Sequence, residues 1–147
     1  MKHANPNVTE RLVIEVRHPG LGDHLFYSHI PRIAKKVGCR EVLVSSQSLF
    51  RHADTKRLTW ETNPYVDGFT NEPGLHSPKF QFLPAGMNLL DKLMLDLGVD
   101  DGLRYHEPEV FYEPRILPEL AHARVFDPNC YSTVGRISDA RLREHLD

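Results

Sequence analysis

Apolar residues near the start of the chain follow two patterns, a short continuous run and then a helical repeat. Residues 12–16 form a β-branched apolar run, typical of a strand buried in a parallel sheet. A turn is predicted at residues 18–22, where a proline and two glycines interrupt the pattern. Helical spacing follows, at Phe26, Ile30, Ile33 and Val37. A second apolar run at residues 41–45 completes a strand–helix–strand unit, which implies parallel pairing and a right-handed crossover.

Three residues define the expected limits of that first helix. Asp23 is of a type that caps helix N-termini, so it is predicted to be the N-cap. Gly38 predicts the C-terminal end of the helix. Pro31 conflicts with a continuous helix and is predicted to kink it or to delay its regular part.

The middle of the chain carries weaker patterns. Residues 48–61 are charged and mixed, which predicts an irregular helix. A turn at residues 63–65 leads into a short predicted strand at residues 66–69. Residues 71–84 are rich in proline, glycine and histidine and are predicted to form a long surface loop.

A clear helical face follows, at Met87, Leu90, Leu93, Met94 and Leu97. Gly98 predicts its end, and residues 107–112 have a strand-like pattern. Residues 113–118 contain two prolines and are interpreted as a linker.

Two domains are predicted. Residues 1–117 are expected to form an α/β, Rossmann-like parallel sheet flanked by helices. Residues 118–147 are expected to supply the first strand, loop and helix of an incomplete second domain, at 123–126, 127–137 and 138–146.

Composition and charge narrow the class of protein. The formal net charge of −2 over 147 residues gives no overall attraction to nucleic acid or to an anionic membrane. No apolar run is long enough for a membrane span, no secretory signal is visible, and a cytoplasmic location is predicted. Cys39 and Cys130 match no metal or redox spacing and are interpreted as free thiols. A basic cluster is interpreted as favourable charge placement at a helix C-terminus: Arg32, Lys35, Lys36 and Arg40.

The first loop, Gly20-Leu21-Gly22-Asp23, carries the most informative chemistry. It is not a dinucleotide fingerprint, because Leu25 stands at the third glycine position, and no Gly-Lys-Ser/Thr of a P-loop follows. Asp23 puts a carboxylate where a phosphate would dock on the helix N-terminus. The loop is therefore suited to a neutral or cationic group such as a sugar hydroxyl. The alternative is that Asp23 only caps the helix.

Three segments together resemble glycosyltransferase family 9, the heptosyltransferase-like family. Residues 12–34 are similar to its opening strand, Gly-(Ile/Leu)-Gly-Asp loop and helix, and Pro31 and Arg32 match that helix. Residues 63–67, Asn-Pro-Tyr-Val-Asp, resemble the segment ahead of its third strand. Residues 125–128 with Arg136 are similar to the start of its second domain.

The resemblance implies a GT-B fold, in which two Rossmann-like domains face each other across the reaction cleft. The N-terminal domain would hold the glycan acceptor, and the C-terminal domain the nucleotide-sugar donor. By that resemblance Asp23 is the general base for the acceptor hydroxyl, and Arg136 contacts the donor diphosphate. No cofactor is expected. Transfer by this chain alone is not expected, because the later loops of the donor domain are not among its residues.

The remaining candidates concern binding. Gly20 and Gly22 would let the acceptor approach the backbone, and His18 and His24 flank the loop and are candidate acceptor contacts. His24 and His29 are five residues apart, which is unsuited to a shared metal on one helix face, so no metal site is predicted. Self-association into a homo-oligomer stays open.

Two other functions compete with sugar transfer. The first is a non-catalytic carbohydrate- or nucleotide-binding module with the same fold. The second is an unrelated flavodoxin-like or nucleotide-binding domain, which Asp23 and the Asn63-Pro64-Tyr65 segment disfavour.

Overall fold

The computed structural model describes residues 10–78, 83–113, 115 and 117–122. The chain divides into two compact units, Met1–Glu113 and Pro114–Asp147. In the second unit, a short 3₁₀ helix spans Pro118–Leu120. The predicted strand, loop and helix at 123–146 lie outside the described residues, so the predicted boundary after residue 117 stays a prediction.

The first unit is built on a parallel three-stranded sheet, as the sequence predicted. Strand β1 spans Arg11–Ile14, β2 spans Glu41–Ser45 and β3 spans Gly68–Thr70, in the order β1-β2-β3. Residues Arg11 to Ile14 pair in register with Glu41 to Val44. The unit therefore has α/β character, with each connection between neighbouring strands passing through helical segments.

Within the predicted surface loop at residues 71–84, Leu75 is exposed but pairs with β1. Its N–H donates to the Val13 carbonyl at 2.7 Å, and its carbonyl accepts from the Glu15 N–H at 2.9 Å. Alternate residues of a strand direct their backbone N–H and C=O groups to opposite sides. The odd-numbered Val13 and Glu15 bond Leu75, whereas the carbonyl of the even-numbered Val16 accepts from the Leu49 N–H, on the β2 side. The chain therefore crosses from β3 to the other edge of β1.

The predicted first helix is two helices, α1 over Leu21–Tyr27 and α2 over Ile30–Lys36. Pro31 lies in the first turn of α2, where its missing N–H leaves no helical bond unmade. The prediction that Val37 faces inward is wrong, since it is exposed after the end of α2. Gly38 follows with φ of +104°, a conformation that favours glycine, and its predicted place at the helix end is confirmed.

The two helices predicted in the middle of the chain are confirmed. Helix α3 spans Ala53–Lys56 and continues as a π-helical turn over Arg57–Glu61, which is the irregular helix expected there. Helix α4 spans Leu89–Asp96, capped by Asn88, whose side chain accepts from the Asp91 N–H. Gly98 follows α4 with φ of +72°.

One hydrophobic core joins these elements. It is formed by alternate residues of β1 and β2, the inner faces of α2 and α4, and two aromatic residues. Its members include Leu12, Ile14, Val44, Ile30, Ile33, Leu93, Met94, Leu97, Tyr27 and Trp60. Helix α1 contacts α4, and α2 packs on β2, so the start of α1 is fixed relative to the sheet.

The strand predicted at residues 107–112 is wrong. These residues form no strand; instead the Glu109 N–H donates to the Ser28 hydroxyl at 2.9 Å, and the Glu109 carboxylate pairs with Arg32. A short run of alternating polarity can be satisfied by such contacts when no strand edge is available to pair with it.

The predicted basic cluster is neutralised by acidic partners. Lys35 lies 2.5 Å from Asp67, and Lys36 lies 2.7 Å from Asp101, both in the last turn of α2. Arg40 is 3.6 Å from Glu10. In the described part of the chain, no helix is long and apolar enough to cross a membrane.

Candidate functional site

The candidate site lies where the chain leaves β1, at the carboxyl edge of the sheet. The next strand, β2, pairs with one side of β1, whereas Leu75 pairs with the other. Where the chain pairs on both sides of a strand in this way, open α/β sheets bind ligands in a crevice beyond the carboxyl ends of the strands. By this rule, a ligand crevice is expected between the loop into α1 and the residues after Leu75.

Asp23 is the third residue of α1, and its prediction as the N-cap is wrong. Gly20 is the N-cap residue, and its N–H donates to Asp23 Oδ2 at 3.1 Å. The other carboxylate oxygen, Oδ1, accepts no hydrogen bond from the described residues. Asp23 is partly exposed. One oxygen is thus held in place, and the other is available to a ligand.

The structure explains why one glycine of the loop must be glycine but not why the other one is. A Cβ on Gly20 would lie 2.6 Å from Asp23 Oδ2, so glycine is needed for the carboxylate to reach the N–H. A Cβ on Gly22 would meet no atom within 4 Å, and Gly22 is exposed. Nothing in the described residues explains a glycine at the second position of a helix, where alanine is favoured.

His24 is a core residue. Its Nε2 lies 2.7 Å from the Leu49 carbonyl, and its Nδ1 accepts from Trp60 Nε1 at 2.9 Å. Burial lowers the pKa of His24, which favours the neutral ring with the proton on Nε2. Because both nitrogens are used and the side chain is buried, His24 has no free nitrogen for an acceptor.

The other predicted binding residues have different positions. His18 is partly exposed in the loop after β1 and has contacts of its own. Arg136 lies outside the described residues, so its predicted contact with a donor diphosphate stays a prediction. Trp60 is buried, so its ring presents no exposed face for a sugar.

A buried carboxylate at the end of β1 was missed by the sequence analysis. Glu15 is only 4% exposed and accepts from the Gly74 N–H at 2.9 Å and from Arg17 Nε at 2.7 Å. The Gly74 N–H and then Arg17 hold the pKa of the Glu15 carboxyl below its usual range, and His76 adds to this effect. The one signal in the sequence was the charged Glu15 within the apolar run of residues 12–16.

Close backbone packing fixes the second side of the crevice. A Cβ on Gly74 would lie 2.7 Å from the Glu15 nitrogen and from the Ile14 carbonyl carbon, so only glycine allows this approach. The Glu15 carboxylate and the Leu75 pairing together hold this segment against β1. His76, the next residue, is partly exposed.

A polar cluster anchors the same segment to the helices. The Ser77 N–H donates to the Tyr27 hydroxyl at 3.3 Å, and the Ser77 hydroxyl bonds Asp96, which also pairs with Lys92. Burial raises the pKa of Tyr27, and the carboxylates of Asp96 and Asp23 raise it further. Asp23 is thus electrostatically coupled to this cluster, which positions α1, α4 and the segment around Ser77.

Metal binding finds no support in the described residues, which contain no group of three or more metal-ligating side chains. Comparison with family models, curated proteins and solved structures finds no match to this chain.

Proposed function

We propose that this chain is the acceptor-binding half of a GT-B sugar transferase that uses a nucleotide-sugar donor. Asp23 would act as the general base, taking a proton from the acceptor hydroxyl as its oxygen attacks the anomeric carbon. The nucleoside diphosphate would leave as the new glycosidic bond forms. The observation that carries the proposal is the half-held Asp23 carboxylate at the start of α1, with Oδ2 fixed by Gly20 and Oδ1 available.

The charge of the loop favours a neutral hydroxyl over a phosphate. The Asp23 carboxylate occupies the first turn of α1 and accepts the N–H of Gly20. An anion docked there would meet this negative charge instead of free N–H groups. A sugar hydroxyl, in contrast, can donate its hydrogen bond to Oδ1.

Gly22 supports close approach of the acceptor. Gly22 is the second residue of α1, and glycine is a poorer helix former than alanine. Since a Cβ at Gly22 would point into open space, the protein's own packing does not require glycine there. A sugar ring resting on the backbone at this position would explain it.

A test separates the base from a simple cap. Asp23→Asn keeps an amide oxygen that can accept the Gly20 N–H, so the fold should be retained. In a form of the protein that transfers sugar, kcat should fall at least about a hundredfold, with the acceptor KM nearly unchanged.

Two results would contradict this role. An unchanged kcat would show that Asp23 only caps the helix. Acceptor binding without any transfer by a form of the protein that includes a donor domain, tested with several nucleotide-sugars, would favour the non-catalytic sugar-binding module instead.

A further inference from the structure

A second cavity, of about 450 Å³, lies between the start of α4 and the chain at residues 104–106. None of the residues that line it belongs to the Asp23 loop. Its lining residues are Gly86, Met87, Asn88, Asp91, Arg104 and His106. A volume of this order is in the range of small-molecule sites.

Asp91 puts a buried negative charge at this cavity. It is 4% exposed, and its Oδ1 accepts the Tyr105 N–H at 3.0 Å. Asn88 bonds both sides of the cavity wall, accepting from the Asp91 N–H at 2.9 Å and donating to the Tyr105 carbonyl at 2.7 Å. Asp91 is therefore held in position by hydrogen bonds that leave its second oxygen, Oδ2, for another partner.

Arg104 puts a positive charge beside that oxygen. Its Nε lies 3.9 Å from Asp91 Oδ2, which is too far for a hydrogen bond. Its Nη1 donates to the Leu103 carbonyl at 2.8 Å and to Asp100 at 3.2 Å. Within the described residues, Nε and Nη2 donate no hydrogen bond, so the guanidinium retains donors for a ligand.

We propose that this cavity binds a free apolar amino acid as its zwitterion. The ammonium would donate to Asp91 Oδ2, and the carboxylate would accept from Arg104, giving two charge-assisted hydrogen bonds. The apolar side chain would lie against Met87. At Gly86 a Cβ would meet nothing within 4 Å, so there is open space beside the main chain.

The charges of the lining disfavour the other ligand classes. A simple anion would be repelled by Asp91, and a simple cation by Arg104. A neutral sugar would satisfy the hydrogen bonds, but sugar sites usually offer an aromatic face, and no tryptophan, tyrosine or phenylalanine is among the lining residues. A zwitterion satisfies both charges at once. This inference does not depend on the proposed sugar transfer.

The experiment is a calorimetric titration of the whole chain with L-leucine and with its two single-charge analogues. Isoamylamine lacks the carboxylate of leucine, and isocaproate lacks the ammonium. We expect saturable binding of L-leucine, and Kd values at least about tenfold higher for each analogue, because each loses one charge-assisted bond. L-methionine serves as a second apolar amino acid.

Two variants test the assigned contacts. Asp91→Asn keeps an oxygen for the Tyr105 N–H but removes the charge, and Arg104→Gln removes the guanidinium of a half-exposed side chain. Each should raise the Kd for L-leucine at least about tenfold. Arg57→Gln, at an exposed arginine paired with Asp54, is the matched control and should leave Kd unchanged.

Three outcomes would overturn the proposal. They are no saturable binding of leucine or methionine at millimolar concentration, equal binding of leucine and its analogues, and wild-type Kd values in Arg104→Gln. Because Arg104 is half exposed, that variant remains informative even if Asp91→Asn fails to fold.

Discussion

Acidification should destabilise this protein through His29, a buried residue between α1 and α2. His29 is fully buried, and its Nε2 lies 3.2 Å from the Leu90 carbonyl. Burial, with a contribution from the nearby Arg32 charge, lowers the pKa of His29 from 6.5 to about 4. The folded state therefore keeps the ring neutral over a pH range in which the unfolded chain protonates it.

The sign and size of the effect follow from this pKa difference. A lowered pKa in the folded state means that the unfolded state binds more protons, so stability is complete above the unfolded value of 6.5 and is lost as pH falls toward 4. A pKa shift of this size corresponds to about 3 kcal/mol when the loss is complete. At about pH 5, roughly 2 kcal/mol should already be lost.

The assay is urea unfolding at neutral pH and at about pH 5, followed by fluorescence of the single tryptophan, the buried Trp60. His24 has a lowered pKa and titrates in the same direction, so the wild-type loss includes both histidines. His29→Gln should therefore lose about 2 kcal/mol less than wild type over this range. His122→Gln, at an exposed histidine, should behave as wild type.

One result would refute this reasoning. If wild type and His29→Gln lose the same free energy of unfolding between the two pH values, the His29 ring is not held neutral by its surroundings. A lower stability of His29→Gln at both pH values would not affect the comparison, since only the difference between pH values is used.

Two further substitutions test packing at the loop and in the core. Gly20→Ala should lower the free energy of unfolding by about 1 kcal/mol, because the new Cβ would lie 2.6 Å from Asp23 Oδ2 and displace the carboxylate from the Gly20 N–H; a wild-type melting temperature would contradict this. Trp60→Phe should lower the free energy of unfolding by about 1–3 kcal/mol more than the loss of buried ring area alone would, because the buried His24 Nδ1 loses its hydrogen-bond donor. Circular dichroism measures the stability of both variants. If the effects of Trp60→Phe and His24→Leu are additive in the double variant, the two side chains are not coupled.

The parts of the fold that local pattern determines could be predicted. The apolar run of β2 is buried on both sides, and its predicted limits match the observed strand Glu41–Ser45. Gly38 and Gly98 end their helices because the chain there has positive φ. The face of α4 follows from the spacing of its leucines and Met94. In each case the signal lies within a few residues of the structure that it predicts.

Features of the fold that depend on distant residues could not be fully predicted from local pattern. Pro31 predicted a kink or a late start of the regular helix, and α2 does begin at Ile30. The sequence did not show that Ser28 and His29 at the break contact Glu109 and Leu90, which lie far along the chain. The pairing of Leu75 with β1 carries no strand-like pattern, because only one residue takes part. His24 was a candidate acceptor contact, since the sequence does not show that Trp60 supplies a buried partner for its ring.

The candidate site shows the same division. Gly20 and Asp23 could be found because they are close in sequence. Asp23 was predicted to be the N-cap, however, and it is the third residue of α1. Glu15 and Gly74 are 59 residues apart and meet only in the folded chain. Only the hydrogen bonds between β1 and the Leu75 segment reveal that His76 lies close enough to Glu15 to act on its charge.

The most direct test of an acceptor bound at the Asp23 loop is the affinity of Gly22→Ala for a glycan. The ligand is the glycan that the wild-type chain retains most strongly on a glycan array, and calorimetry gives its Kd. We expect at least a roughly tenfold rise in Kd, because the methyl group would occupy the space of the sugar. We also expect a melting temperature equal to or above wild type, because alanine favours the helix and meets no atom within 4 Å. An unchanged Kd, or no glycan retained by the wild-type chain, would contradict acceptor binding at this loop.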